Sequence, residues 1–328
     1  NATLDPEPGL TVVEILRAAS RGEIRGMYVM GENPAMSDPD LAHARSALAA
    51  LDLLVVQDIF PTETAWLADV ILPASAFPEK SGTFTNTDRI VQLGRQAIRP
   101  PGDARQDLWI INQMARRLGL DWHYDDPGPV FEEMRAGMDS IAGISWARIQ
   151  RDGSVTYPCT DVGDPGQPVV FRDNFPTATG RARLVPATLI RADETPDSAY
   201  PLVLITGRQL EHWHTGAMSR RSYVLDATEP EATVSIAGAD ARRLGLSPGD
   251  WAEVASRRGA IRLKVRIDDG LAAGNVFIPF AYAEAAANRL TNPVLDPFGK
   301  IPEFKYCAVR VTPVPEPAPR ARGAGSVE

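Results

Sequence analysis

Residues 26–38, GMYVMGENPAMSD, run a short apolar strand into Gly31-Glu32-Asn33-Pro34, and a segment with helix-start signals follows. In a parallel α/β layer, the loop leaving a strand's carboxyl end is where ligands dock. Gly31 lets a ligand approach the backbone closely, and Asn33 offers a forked donor and acceptor. The arrangement recurs about twenty residues on, where Leu53 to Val56 are followed by Gln57-Asp58. Two strand ends thus present polar groups suited to the edges of a sugar or a base. The plainer alternative is that Gly31, Glu32, Asn33, Pro34, Gln57 and Asp58 are ordinary turn residues.

A second group is Arg208-Gln209-Leu210-Glu211-His212-Trp213-His214-Thr215, directly after the apolar run PLVLITG, in a chain with four histidines. His212 and His214 are spaced as a metal pair would be in an extended segment. No third ligand is evident, so a polar ligand pocket ranks above a metal site; a loop with one aromatic anchor is the bland alternative. A third group joins Asn288 to Phe304 and Lys305, where the lysine would meet a phosphate or a ring carbonyl, or else stay solvated. Asp107 lies near the start of a helix. It either favours the helix dipole or accepts in a fork from the N–H donors of guanine. Cys159 and Cys307 are too far apart to suggest a metal pair and read as structural thiols. No residue of the chain stands out as catalytic.

Elements with clear signatures must position these groups. Residues 11–20 have helical spacing, Asp38 is expected to cap a helix running to about Leu51, and apolar strands are expected at 53–56 and 69–74. This order indicates a parallel, doubly wound layer. Residues 79–92 read as an ordered polar loop, 105–118 and 128–138 as helices, and 150–199 as an irregular connector. From Tyr200 short strands crowd together: PLVLITG, TVSIA, WAEVAS, AIRLKVRI, NVFIPF and YCAVRVTP. Many short strands without long intervening helices imply a closed β-barrel. The expected division is therefore 1–149, 150–199, 200–314 and a flexible tail at 315–328.

The net charge of −8 over 328 residues and the lack of a long basic run argue against nucleic-acid binding. No apolar run is long enough for a membrane span, and two cysteines fit a reducing cytoplasm. The chain starts Asn-Ala-Thr rather than Met, which reads as part of a larger polypeptide.

Five motifs in order, GENPAMSDPD, LVVQDIFPTETAWLADVILPA, EKSGTFTNTDR, TGRQLEHWHTG and PEFKYCAVRV, resemble the carboxyl-terminal part of the large subunit of molybdenum- or tungsten-dependent formate dehydrogenases, most closely NAD-linked bacterial ones. The superfamily is that of bis-molybdopterin guanine dinucleotide (bis-MGD) oxidoreductases. The resemblance implies a Rossmann-like lobe followed by a double-psi β-barrel, both contacting the cofactor. It implies that Gly31 to Pro34, Gln57 and Asp58 lie along a guanosine moiety and that Asp107 recognises guanine. Arg208 to Thr215 would wrap pterin and pyrophosphate, with Asn288, Phe304 and Lys305 as barrel contacts. Arg208, Lys305 and Arg89 are the pyrophosphate candidates. Asn33, Ala74, Trp213 and His214 depart from the residues some relatives carry.

The resemblance places the metal ligand and iron–sulfur cysteines upstream of these motifs, so the segment would bind cofactor without turning over formate. It implies reversible oxidation of formate to CO2, with electrons leaving through iron–sulfur clusters to flavin and NAD on diaphorase-type partner subunits. Two other readings stand beside it: a cofactor-free scaffold related to the large subunit of respiratory NADH:quinone oxidoreductase, and another superfamily enzyme such as a nitrate reductase.

Overall fold

A computed structural model describes residues 5–317. The expected tail from Pro315 therefore lies, from residue 318 on, outside the described residues. The chain forms two compact units, 1–71 with 190–328, and 72–189.

In the first unit, α1 (Val12–Ser20) leads into β1 (Gly26–Met30). Thr11 and Glu14 form a capping box, with the Glu14 carboxylate accepting from the Thr11 N–H at 2.9 Å. After β1 come α2 (Pro34–Ser37), α3 (Leu41–Ala49) and β2 (Leu53–Asp58). The expected single helix starting at Asp38 is thus two helices. Pro34 supplies the first position of α2, Asp38 ends that helix, and Asp40 turns the chain through φ 45° into α3. β1 and β2 are parallel, with Gly26 opposite Leu53 and Met30 opposite Gln57. β3 (Val70–Pro73) completes the order β1-β2-β3, and through it the chain passes into the second unit.

Side chains alternate faces along a strand. Val29, Leu54 and Val56 pack against Leu16 and Ala19 of α1 and Ala44, Ala47 and Leu48 of α3. The opposite face presents Tyr28, Met30 and Leu53 as exposed side chains. Helices on both faces were expected; among the described residues α1 and α3 share one, because both return across the same apolar stripe.

The second unit carries β4 (Gly82–Thr85), β5 (Ile90–Gly94), α4 (Asp107–Arg117), α5 (Pro127–Ala136), α6 (Trp146–Asp152) and β6 (Ser154–Thr156). The polar stretch 79–92 is a hairpin rather than a loop: β4 pairs antiparallel with β5, which pairs with β6. Cys159 is buried in the core of this unit with Val91, Phe131, Ile144 and Ile149. Its Sγ accepts from the Arg148 guanidinium at 3.3 Å, and burial raises its pKa, as suits a structural thiol.

Residues 202–313 form a closed barrel of six strands. These are β7 (Leu202–Gly207), β8 (Thr233–Ile236), β9 (Trp251–Ala255), β10 (Ala260–Ile267), β11 (Asn275–Pro279) and, after the small hairpin β12 (Asn292–Leu295) and β13 (Pro302–Glu303), β14 (Cys307–Pro313). All six barrel strands coincide with the runs marked in the sequence. Short helices α7 (Tyr223–Thr228) and α8 (Gly238–Leu244) flank β8. The barrel order is β10-β8-β11-β7-β14-β9, closed by β9 on β10, and its parallel pairs are β10 with β8 and β11 with β7. Alternate residues fill the interior, among them Leu204, Val234, Ile236, Val254, Leu263, Val276, Ile278 and Val309. No helix among the described residues is long and apolar enough to cross a membrane.

Ile278 is fully buried in that interior. Ile278→Ala removes apolar contacts and leaves a cavity, so stability falls by about 2–5 kcal/mol, read as a lower denaturant midpoint at unchanged slope.

Candidate functional site

Two sets of loops meet within the first unit. One set leaves the carboxyl ends of β1 and β2. Gly31 has φ +64°, a conformation glycine adopts freely, and a Cβ there would have no neighbour within 4 Å. Its N–H donates to the Gln57 carbonyl at 2.9 Å, tying the two strand ends together. Glu32 is exposed; Asn33 and Pro34 are buried. Asn33 Oδ1 accepts from the Thr64 N–H and hydroxyl at 3.2 and 2.7 Å, and its Nδ2 donates to Glu63 at 2.8 Å. Gln57 is buried and accepts from the Tyr28 hydroxyl. Burial pushes the Asp58 pKa up, against the pull of the Ile59 and Phe60 N–H groups and Arg221. The Arg221 guanidinium sits 4.9 Å over the Phe60 ring and donates to the Pro61 carbonyl at 3.1 Å, joining the barrel's loop to this edge.

The other set sits on the barrel rim. The Arg208 guanidinium lies 4.5 Å over the Trp213 ring, itself exposed, and has no carboxylate partner among the described residues. Lys305 donates to the Thr206 carbonyl at 2.5 Å and lies 5.7 Å over Phe280; burial and the Arg208 charge lower its pKa. The Phe304 carbonyl accepts from the Thr206 hydroxyl at 2.7 Å. His214, at φ 50°, meets Phe280 edge-on at 5.6 Å. Burial and Arg208 lower its pKa while Glu32 pulls it up. His212 is 2% exposed, with its ring nitrogens at Ser219 Oγ (3.3 Å) and the Glu229 carbonyl (2.8 Å). The two histidine rings therefore have different surroundings. Thr215 is buried, and Gly216 holds φ +77° where a Cβ would come within 2.3 Å of the Ala281 carbonyl. Gln209 accepts from the Tyr282 hydroxyl at 3.3 Å, and its buried Nε2 has no acceptor. Asn288 is buried and donates to the carbonyls of Met36 and Ser37 at 3.1 and 2.8 Å, which fixes the rim against α2.

The charge of Glu32 is felt by Asp38, Asp58 and His214, and that of Arg208 by His214 and Lys305. The strand-end and rim residues marked in the sequence thus share one electrostatic neighbourhood. Asp107 belongs to the second unit, at the first position of α4, with its carboxylate paired to Lys80. Arg89, also there, gives its guanidinium to the carbonyls of Tyr157 (2.5 Å), Gln167 (2.9 Å) and Pro168 (3.0 Å), so it straps a loop rather than offering itself to an anion.

Sequence reading missed Phe280, Tyr282, Arg221 and Asp38. The first three become visible only when the barrel closes. Asp38 carried the signal of a helix cap; instead it is 4% exposed with an unpartnered Oδ2, and burial beside Glu32 raises its pKa to about 7.

Two cations without carboxylate partners and a buried amide donor without an acceptor fit an anionic, acceptor-rich group such as a pyrophosphate. The comparisons agree in kind. Residues 2–117 match the molybdopterin oxidoreductase model, and residues 202–308 match the molydopterin dinucleotide binding domain. The chain belongs to the molybdopterin oxidoreductases. It is 44% identical over 310 residues to the F420-dependent formate dehydrogenase subunit alpha of Methanocaldococcus jannaschii, covering 94% of this chain and 46% of that protein. It is 33% identical to formate dehydrogenase H of Escherichia coli over 315 residues, 95% of this chain and 44% of the relative. Among solved structures, acetylene hydratase from Pelobacter acetylenicus matches with a TM-score of 0.74 at 18% identity, over 91% of this chain and 46% of that one. The chain thus spans about half the length of the relatives it matches.

Asp38 gives a test of the site's electrostatics. Its raised pKa means the folded state holds a proton that the unfolded chain releases near pH 4. Stability from this group is therefore full below about pH 4 and is lost as pH rises towards 7. Asp38→Asn removes that loss: its melting temperature should exceed the parent's by several degrees at pH 8 and match it near pH 4, by differential scanning calorimetry.

Proposed function

We propose that this chain is the carboxyl-terminal portion of the alpha subunit of a formate dehydrogenase, holding the guanine dinucleotide and pterin parts of bis-MGD. The observation that carries the reading is the shared neighbourhood of the β1 and β2 ends with the cationic barrel rim, in a chain that matches both cofactor-domain families. On this reading the sheet is the Rossmann-like part, and the barrel, with its two parallel pairs, is a double-psi barrel. The segments 1–149 and 200–314, read as domains in the sequence, would then both serve the cofactor.

Bound bis-MGD would carry molybdenum or tungsten and supply the two-electron redox chemistry for interconverting formate and CO2. The chain's own residues bind and orient. Arg208 and Lys305 neutralise pyrophosphate, each as a charge-assisted donor. The Gln209 Nε2 donor acquires an acceptor. Gly31, with open space where a side chain would be, lets a guanosine lie on the backbone, flanked by Glu32 and the Gln57-Asp58 turn. Asp107 would accept from the N–H edge of guanine, the role the resemblance implies for it. Phe280 and His214 form an apolar wall that keeps water from the phosphates and strengthens their contacts.

The relatives' names supply formate as substrate and an alpha subunit's need of partners. NAD as the final acceptor, expected from the sequence, draws no support from them, since the 44% relative is named F420-dependent. A cytoplasmic setting and iron–sulfur clusters elsewhere in the full-length protein belong to the same reading.

The test is made on the full-length protein. Lys305→Ala and Arg208→Ala should each lower pterin, guanine nucleotide and metal content, with affinity falling roughly 10- to 100-fold for the loss of a charge-assisted contact. Asp107→Ala should act likewise. Content is read by nucleotide release and elemental analysis, and turnover with formate and an artificial dye, which leaves the natural acceptor open. Full cofactor content in all three variants would sink the assignment.

A further inference from the structure

In the second unit, one face of α4 closes one side of a cavity of about 560 Å³. Trp109, Asn112 and Arg116 lie at helical spacing on that face, about half a turn round from Asp107. Arg99 and Arg105 line it from the preceding segment, and Trp122 from the following one. The walls are anchored. The Arg105 N–H donates to the Pro73 carbonyl at 3.0 Å, and Asn112 Nδ2 donates to the Tyr124 carbonyl at 2.5 Å.

The lining is unusual on three counts. First, its guanidinium groups lack acids. Arg99 and Arg116 have no side-chain partner among the described residues, and Arg105 donates only to its neighbour's carbonyl at 3.0 Å while lying 5.8 Å over Trp109. Elsewhere the arginines of this acidic chain form many carboxylate pairs, such as Arg258 with Glu194 and Arg220 with Glu284. Asp125 is the one carboxylate in the lining; Asp121, outside it and exposed, is hydrogen-bonded to the His123 ring at 2.8 Å. Three guanidiniums facing one carboxylate leave the cavity positive. Second, two indoles stand open to solvent, Trp109 at 50% and Trp122 at 40% exposure. Third, Asn112 is 8% exposed, and its buried Oδ1 has no hydrogen-bond donor. The bond to Tyr124 fixes which end of the amide is the acceptor, so what is lacking is an N–H.

These features call for one ligand chemistry. Guanidinium forks prefer phosphate, indoles stack flat rings, and a buried amide oxygen seeks an exocyclic amine. The volume falls in the range of small-ligand pockets, about 300–1,000 Å³. We propose that this cavity binds a purine nucleoside diphosphate or triphosphate. Its ring would lie against Trp109 and Trp122, its amine on Asn112 Oδ1, and its phosphates among Arg99, Arg105 and Arg116. The lining uses the side of α4 that Asp107 does not, and the proposal stands whether or not the formate dehydrogenase reading does.

Titration of the full-length protein with ADP, followed by calorimetry and tryptophan fluorescence, tests this. Saturable binding with quenching is expected, weakened at least tenfold in the double variant Arg99→Gln/Arg116→Gln. Both side chains are unpaired, so that variant should keep its melting temperature and cofactor content. Trp109→Leu should reduce the quenching while leaving inorganic pyrophosphate binding in place. Absence of saturable ADP binding to millimolar concentration overturns the proposal, as does unchanged affinity in the double variant. Pyrophosphate binding as tightly as ADP would make it a simple anion site, and hexaglutamate binding more tightly than ADP would make it a docking surface for an acidic protein segment; either result overturns the nucleotide assignment.

Discussion

The parallel pairing of β7 with β11 is the constraint on which the candidate cofactor site depends. Gly207 lies opposite Pro279, so both strands end at the same rim and their exit loops start side by side. One loop carries Arg208 to Thr215, the other Phe280, Tyr282 and Asn288. β14 runs antiparallel to β7 with Cys307 opposite Leu204, so it must begin at that rim, and Lys305 arrives beside Thr206 for the same reason. Residues nearly a hundred positions apart become neighbours through register alone. A one-residue slip would turn every interior side chain outward, so the buried row of Leu204, Val276, Ile278 and Val309 fixes the rim as firmly as any hydrogen bond.

The sheet in the first unit uses the same device on a smaller scale. β1 and β2 are parallel and in register, which brings Gly31 and Asp58 to one edge. The edge and the rim are then held together by contacts that need no ligand: Asn288 to the α2 carbonyls, the Asp40 N–H to the Thr291 carbonyl at 3.2 Å, and the apolar contact of Met36, Leu41 and Ala286. The acids lie mainly on the strand ends and the unpaired cations mainly on the rim. Such a split field holds a molecule that is anionic in the middle and offers hydrogen-bond donors at one end.

The barrel was legible in the sequence because its strands are short, closely spaced apolar runs with no long helix between them, and turn signals such as Ser247-Pro248-Gly249-Asp250 separate them. The same logic failed at 79–92, where Gly82, Thr83, Thr85 and Asn86 suggested a loop although β4 and β5 pair there. Threonine suits a strand, but the run has too few apolar residues to show a period. The Asp38 misreading has a different origin. A cap signal is local, whereas the break after Ser37 comes from packing of α2 beneath the rim. The pairing of Lys80 with Asp107 and the cavity beside α4 were beyond sequence reasoning, because each joins segments whose approach is tertiary.

Asn33 and Asn288 were marked in the sequence for their hydrogen-bonding capacity, and in the fold each uses it on the protein itself. Asn33 bridges β1 to the Glu63-Thr64 turn, and Asn288 ties the rim to α2. Both are buried, so breaking these bonds would leave polar atoms unpaired at a cost of about 1–3 kcal/mol each. Their effect on a ligand is therefore exerted through position: they fix loops whose neighbours have capacity left for one. Those neighbours are the exposed Glu32, the open space at Gly31, Gln209 Nε2, and Arg208 and Lys305, neither of which has a carboxylate partner among the described residues. A site built this way needs little rearrangement when an anion arrives, since the groups that meet it are already held by groups that do not.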